Sequence, residues 1–274
     1  MTTQTTHAAR NQPHRRSAVW AVMLAALLLL AFAASASAAP NPTSNIAVGP
    51  LPQACANAPR GATCVKAMLD ALDRARTQIG LGPYLVPADF DSLSGSEQLL
   101  ILCNLDRLAY GLPPIAGLSP VLNAIAAMGV TSDADPDPSA LLSNLSSFGW
   151  SSNWAGGYGN APEAYYAWMY YDGWGGRQTS NLDCTGPASS GCWGHRDDVL
   201  AFPAQGLLSM GASVSRDAAG QIGYAMTLVW TEQTNWTTFS YSWASAQADG
   251  AGAANQRTAA GRRPKIALAR ISAA

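Results

Sequence analysis

Two segments near the end of the chain decide the fold: Gly206-Leu-Leu-Ser-Met-Gly-Ala-Ser-Val-Ser-Arg216 and Gln221-Ile-Gly-Tyr-Ala-Met-Thr-Leu-Val-Trp-Thr-Glu232. Apolar side chains alternate with small or polar ones in both, at Met210, Ala212 and Val214 in the first and at Tyr224, Met226, Leu228 and Trp230 in the second. A period of two is typical of half-buried strands. Asp217-Ala-Ala-Gly220 supplies a turn between them, so the pattern predicts an antiparallel hairpin.

The chain before this hairpin has mostly helical patterns. Ser94-Gly-Ser-Glu97 has the spacing of a capping box and should open a helix. The predicted helices are Val65 to Ile79, Gln98 to Tyr110, Leu118 to Val130, Ser139 to Phe148 and Pro162 to Tyr171. A third strand is expected over Thr238 to Trp243. Helices first and a hairpin late indicate an α/β fold, with helices packed on a mainly antiparallel sheet.

The start of the chain has the order of a secretory signal segment. Arg15 and Arg16 precede an almost wholly apolar stretch, and small residues follow before Pro40. We expect a signal peptide over 1–38, cleaved after Ala38, and therefore a secreted or cell-envelope location. The alternative is an uncleaved anchor, although the apolar run is slightly shorter than the roughly 20 residues that span a bilayer.

The remaining sequence divides by composition. Residues 39–64 suggest a linker with a local disulfide, residues 65–243 the folded domain, and residues 244–274 a flexible basic tail. After residue 38 there are 13 basic and 17 acidic residues, and every charge after Gly250 is basic. The folded part is therefore acidic and offers no patch for a row of phosphates, which argues against a nucleic-acid partner. We expect no membrane span after cleavage.

Histidine and cysteine counts restrict the chemistry further. His195 is the only histidine after residue 38, so sites that need two histidines are excluded, and we expect neither a metal nor another cofactor. All five cysteines follow the signal segment. In an oxidising compartment, short turn-rich spacing predicts the pairs Cys55–Cys64 and Cys184–Cys192. Cys103 is left over in an apolar helical run and should be a buried, inert thiol.

Several short motifs occur in an order that resembles the bacterial branch of the CAP superfamily, the cysteine-rich secretory, antigen 5 and pathogenesis-related proteins. The resemblance covers about residues 94–232. The motifs are Asn104-Leu-Asp-Arg-Leu-Ala-Tyr-Gly-Leu-Pro-Pro-Ile115, Asn153-Trp-Ala-Gly-Gly157, Pro162-Glu-Ala164 leading to Trp168-Met169, Gly194-His-Arg196, and Met210-Gly-Ala-Ser-Val214. The resemblance implies an α-β-α sandwich with a cleft.

The resemblance also implies which residues face that cleft. In the family, two histidines and two acids commonly do so and can hold a metal. Here only His195 matches, Ser152 stands where the first acid is expected beside Asn153, and Asp172 is near the place of the second. The expected ligand-binding cleft is therefore His195, Ser152, Asn153, Trp168 and Asp172, in a poor zinc site. A purely structural role for His195 remains the alternative.

Two classes of function follow from these residues. The first is a secreted CAP-like domain that binds a small-molecule, lipid or cell-envelope ligand without catalysis. The second is a cell-wall hydrolase with His195 and Asp172 as acid and base, for which Glu163 and Asp172 are the only plausible local carboxylate pair. The aromatic-rich segment 148–174 also suits a carbohydrate-binding protein, although such residues equally fill cores.

Overall fold

The structure is a computed structural model that describes residues 40–252, apart from residues 48, 50–52, 176–180, 188, 204 and 218. The expected signal peptide and the basic residues after 252 lie outside the described residues. No helix in the described part of the chain is long and apolar enough to cross a membrane.

Eight helices and five strands make up the described chain. The helices are α1 (Ala54–Asn57), α2 (Ala62–Gln78), α3 (Gly95–Ala109), α4 (Pro120–Ser132), α5 (Ser139–Leu142), α6 (Ala161–Tyr170), α7 (Gly194–Val199) and α8 (Trp243–Ala248). The strands are β1 (Gly117–Leu118), β2 (Phe148–Gly156), β3 (Leu207–Arg216), β4 (Ile222–Thr231) and β5 (Tyr241–Ser242).

The strands form one mixed sheet in the order β2-β4-β3-β1-β5. The predicted hairpin is confirmed: β3 and β4 pair antiparallel along their whole length, from Leu207 opposite Thr231 to Arg216 opposite Ile222. β2 lies antiparallel on the other side of β4, while β1 runs parallel to β3. The sheet is thus mainly antiparallel, and β2 is an edge strand.

Helices cover both faces of this sheet, because β4 sends alternate side chains to opposite sides. Tyr224, Met226 and Leu228 belong to the large core that also contains buried residues of α2, α3 and α6. Their neighbours Ala225 and Val229 pack instead against α4. The predicted α/β class with helices packed on a sheet is therefore correct.

One glycine explains how closely α4 approaches the sheet. A Cβ at Gly211 of β3 would lie 2.2 Å from the carbonyl oxygen of Leu122. Only a residue without a side chain fits at that distance. Gly211, in the middle of β3, thus sets the distance between α4 and the sheet.

A buried polar cluster joins the helices of the other layer. Asp106 of α3 is fully buried and accepts hydrogen bonds from the hydroxyls of Tyr84, Tyr165 and Tyr170, and it pairs with Arg76 of α2. A buried carboxylate needs such partners because its desolvation is costly. The cluster fixes α6, whose C-terminal end leads into the functional site.

The next residue of α3 holds a second part of the site in place. The guanidinium of Arg107 donates to the carbonyls of Val199 at 2.9 Å, Ala201 at 2.7 Å and Phe202 at 3.2 Å. Burial of the side chain is complete. Arg107 therefore ties the C-terminal end of α7 to the core.

Near the site, one predicted helix is wrong and two elements were not predicted. The helix expected over Ser139 to Phe148 ends at Leu142, and residues 148–156 form β2, which was missed. α7 was also missed. The polar run Ser151-Ser-Asn153 hides the strand because its side chains bond to another element: Ser151 Oγ donates to the Asp198 carbonyl, and Asn153 Nδ2 donates to that of His195.

Both flanking segments are more ordered than the sequence suggested. Within the expected linker 39–64, Asn45 and Ile46 are buried, and Asn45 Oδ1 accepts from the backbone N–H of Gly173 at 2.7 Å. Of the residues assigned to the flexible tail 244–274, residues 244–248 continue α8, and Ala246 and Ala251 are buried. Alanine-rich composition gives little sign of burial, because it suits a packed helix and a flexible linker equally.

Candidate functional site

The site is a cleft of about 550 Å³ at the free edge of β2. Trp154 of that strand forms its base. Its backbone carbonyl accepts a hydrogen bond from the indole N–H of Trp168 at 3.2 Å. The lining residues are Asp133, Ala134, Asp135, Trp154, Ala155, Gly156, Tyr158, Ala167, Trp168, Asp172, Asn181, Leu182, Asp183 and His195.

The central feature of the cleft is a histidine fixed at two points by one carboxylate. Asp172 follows the end of α6, and His195 lies in the first turn of α7. The Asp172 Oδ1 atom lies 2.6 Å from His195 Nδ1, and Oδ2 accepts from the backbone N–H of His195 at 2.9 Å. Asn181 Nδ2 also donates to Oδ1, at 2.7 Å. This arrangement sets the ring orientation.

The two partners differ in exposure. The side chain of Asp172 is 1% exposed, whereas that of His195 is 24% exposed and lines the cleft. Within the described part of the chain, Nε2 of His195 makes no hydrogen bond. One ring nitrogen is therefore occupied by Asp172, and the other is left for a ligand.

Burial and charge act in opposite directions on this pair. Burial by itself lowers the pKa of His195, but the hydrogen bond and charge of Asp172, with the charges of Asp135 and Asp198, raise it overall. Burial raises the pKa of the Asp172 carboxyl, although the ring and backbone N–H of His195 oppose this. The carboxylates around the ring thus stabilise its protonated form relative to a free imidazole.

Further acids surround the pair. Burial raises the pKa of Asp135, and the charges of Asp183 and Asp172 add to the effect while His195 opposes it. Burial raises the pKa of Asp198 to about 7, and its causes also include repulsion from Asp135. These carboxyls come from different elements and were not expected together.

The structure brings together three of the five predicted site residues as lining: His195, Trp168 and Asp172. Asn153 lies behind the cleft, fully buried, where its amide holds the carbonyl of His195 at 2.8 Å. Ser152 is buried on β2 and is not a lining residue. Asn153 supports the site, and Ser152 has no contact that assigns it a role.

Two acids and one aromatic residue of the cleft were not predicted: Asp133, Asp135 and Trp154. No role was assigned to Asp133 or Asp135 from the sequence, and Trp154 appeared only as part of a motif. The one available signal was the clustering of acids in Asp133-Ala-Asp-Pro-Asp137 directly before the aromatic segment. Nothing local indicates that this turn meets His195.

Both predicted disulfides are confirmed. Cys55–Cys64 and Cys184–Cys192 are bonded, with Cα–Cα distances of 5.1 and 4.4 Å. Two such bridges indicate an extracytoplasmic, oxidising environment. Cys103 is free and buried, and burial raises the pKa of its thiol well above the usual range, which makes it unreactive. The Cys184–Cys192 loop begins next to Asp183, a wall of the cleft.

The described residues show neither a metal cluster nor a close pair of the Glu163 and Asp172 carboxylates. No group of three or more His, Cys, Asp or Glu side chains among them is placed to hold a metal ion. Glu163 lies in the first turn of α6 and accepts from the Gly159 N–H at 2.7 Å, while Asp172 follows the other end of that helix. The seven residue steps from Glu163 to the end of the helix at Tyr170 rise roughly 10 Å, which already exceeds the roughly 5–9.5 Å spacing of glycosidase carboxylates.

Comparison with protein-family models, with curated proteins and with solved structures finds no match for this chain.

Proposed function

We propose that this protein is a secreted CAP-like domain that binds a small ligand in the cleft around His195 and does no catalysis. The observation that carries the proposal is the fixed, partly exposed imidazole. Asp172 holds Nδ1 at 2.6 Å, and Nε2 has no hydrogen-bond partner among the described residues. A merely structural histidine would be sealed and fully hydrogen-bonded.

The proposed membership in the CAP superfamily is supported by the convergence of distant motifs. Asn153, Trp168 and His195 belong to three separate motifs of the resemblance, and all three lie in or directly behind one cleft. The sheet with helices on both faces is compatible with the α-β-α sandwich that the resemblance implies. These features support the proposal.

The carboxylates of Asp172 and Glu163 already accept hydrogen bonds within the protein, which favours binding without catalysis. Both oxygens of Asp172 already accept hydrogen bonds from His195, so this carboxylate positions the ring. Glu163 is committed to the turn at Gly159.

Carbohydrate binding is a second candidate, supported by a different surface. Phe148, Trp150 and Trp174 are 40, 38 and 40% exposed, whereas the other seven aromatic residues of segment 148–174 are half-buried or buried. Flat, amphipathic faces suit sugar rings. If this candidate is correct, Trp150→Ala should weaken binding of a chitin or peptidoglycan fragment and His195→Ala should not.

Calorimetry with three probes tests the proposed function: choline, an N-acetylglucosamine tetramer and a lysophospholipid. We expect at least one to bind wild type and to lose at least tenfold in affinity in His195→Ala, with Gln247→Ala, an exposed residue of α8, unchanged. If no probe binds in a His195-dependent manner, or if the tetramer or lysophospholipid is cleaved, the proposal is wrong.

A further inference from the structure

The charge of the cleft is strongly one-sided. Asp133, Asp135, Asp172 and Asp183 line it, and the described lining contains no lysine or arginine. His195 is the one basic lining side chain there, and Asp172 already balances it. A ligand of this cleft therefore meets an excess of carboxylate.

The carboxylates also affect one another across the cleft. Burial comes first among the causes that raise the pKa of Asp135, and the charges of Asp183 and Asp172 add to it. Asp135 lies in the turn after α4, Asp183 lies directly before the Cys184–Cys192 loop, and Asp172 follows the end of α6. A cation placed between them would remove this repulsion, whereas a neutral or anionic ligand would not.

The remaining walls are apolar. Trp154 and Tyr158 are partly exposed, and Leu182 is 90% exposed at the rim. Aromatic faces attract cations and favour those that carry alkyl groups over strongly hydrated ones. No cluster of three metal-ligating side chains is found in the described residues, so the site does not suit a bare metal ion.

We propose that the cleft takes a small organic cation, a protonated amine or quaternary ammonium, between the Asp135 and Asp183 carboxylates and the Trp154 and Tyr158 rings. This inference rests on the proposed ligand-binding function. It adds the chemical class of the ligand, which neither the resemblance nor the His195–Asp172 pair specifies.

The test compares choline with 3,3-dimethyl-1-butanol, its uncharged isostere, by calorimetry on the full mature chain. We expect choline to bind at least tenfold more tightly than the isostere. Asp135→Asn should weaken choline binding at least tenfold, while the matched control Asp89→Asn, an exposed acid that does not line the cleft, should leave it unchanged. Circular dichroism of each variant shows whether the fold is kept.

The possible failures are distinguishable. If the N-acetylglucosamine tetramer or the lysophospholipid binds in a His195-dependent manner and choline does not, the inference is overturned and the proposed function stands. If choline and its isostere bind equally, charge recognition is absent and the inference is wrong.

Discussion

The imidazole Nδ1 of His195 lies 2.6 Å from Asp172 Oδ1, and the backbone N–H of the same histidine donates to Oδ2 of that carboxylate at 2.9 Å. One buried side chain thus fixes both the ring and the first turn of α7. Since Asp172 follows α6 and α6 is held by the Asp106 cluster, the orientation of the ring depends on the core.

The first prediction concerns the titration of His195. NMR of the mature chain should give one imidazole titration with a pKa above the ordinary value of about 6.5, because the hydrogen bond and charge of Asp172 outweigh burial. In Asp172→Asn the pKa should fall below that value, since burial then dominates. The neighbouring exposed acid gives a control, Asp197→Asn, with a smaller shift; equal shifts would contradict a specific pair.

The second prediction concerns stability and pH. The pKa of Asp198 is raised to about 7, so between pH 4 and that value the folded state binds more protons than the unfolded state. The free energy of unfolding should therefore fall as pH rises through this range, by up to about 1.4 kcal/mol per pH unit for one full proton. Urea unfolding at several pH values measures the slope. Asp198→Asn should flatten it, and an unchanged slope would contradict the assignment.

The third prediction concerns the buried charge at Asp106. Asp106→Asn should lower the free energy of unfolding by about 3–5 kcal/mol, because it leaves the buried Arg76 uncompensated. The double variant with Arg76→Gln should recover part of the loss. The control Asp70→Asn removes an exposed pair with Lys66 and should cost about 0–1 kcal/mol. Equal losses in the two single variants would count against this account of the core.

The fourth prediction separates the two disulfides. Replacing either pair by serine should cost about 2–3 kcal/mol of unfolding free energy for loops of this length. Only the loss of Cys184–Cys192 should change the pKa of His195, because Asn181 beside that loop donates to Asp172. NMR of both double variants decides this. A similar change after loss of Cys55–Cys64 would show that the effect is general loosening.

The fifth prediction concerns zinc. His195 is the one histidine after residue 38, and the described residues contain no cluster of three metal-ligating side chains. Protein purified without chelators should therefore contain no stoichiometric zinc by elemental analysis. One zinc per chain, lost in His195→Ala, would overturn the interpretation of the cleft.

Local patterns predicted those parts of the fold that local physics determines. The alternation in β3 and β4 and the capping box at Ser94 each depend on residues a few positions apart. β2 was missed because the polar side chains of Ser151 and Asn153 hide its strand pattern. Their hydrogen bonds go to carbonyls of α7, more than 40 residues away.

The candidate site was predictable only where a motif pointed to it. His195 stood out as the sole histidine after residue 38, and the resemblance placed Trp168 and Asp172 near it. Asp135 could not be found this way, because its interaction with His195 across 60 positions arises from the packing of α4 against β2 and β4. The acidic character of the cleft is therefore a tertiary property.

The most direct test of ligand binding at His195 uses a protein of residues 39–274, which contains one histidine. Nitrogen-15 NMR of the imidazole, recorded with and without choline, the N-acetylglucosamine tetramer or the lysophospholipid, reports on Nε2 without ambiguity of assignment. The account predicts that at least one probe shifts the Nε2 resonance in a saturable manner. If no probe shifts this resonance, the cleft around His195 is not the ligand site. That conclusion holds whether a probe binds elsewhere on the protein or no probe binds at all.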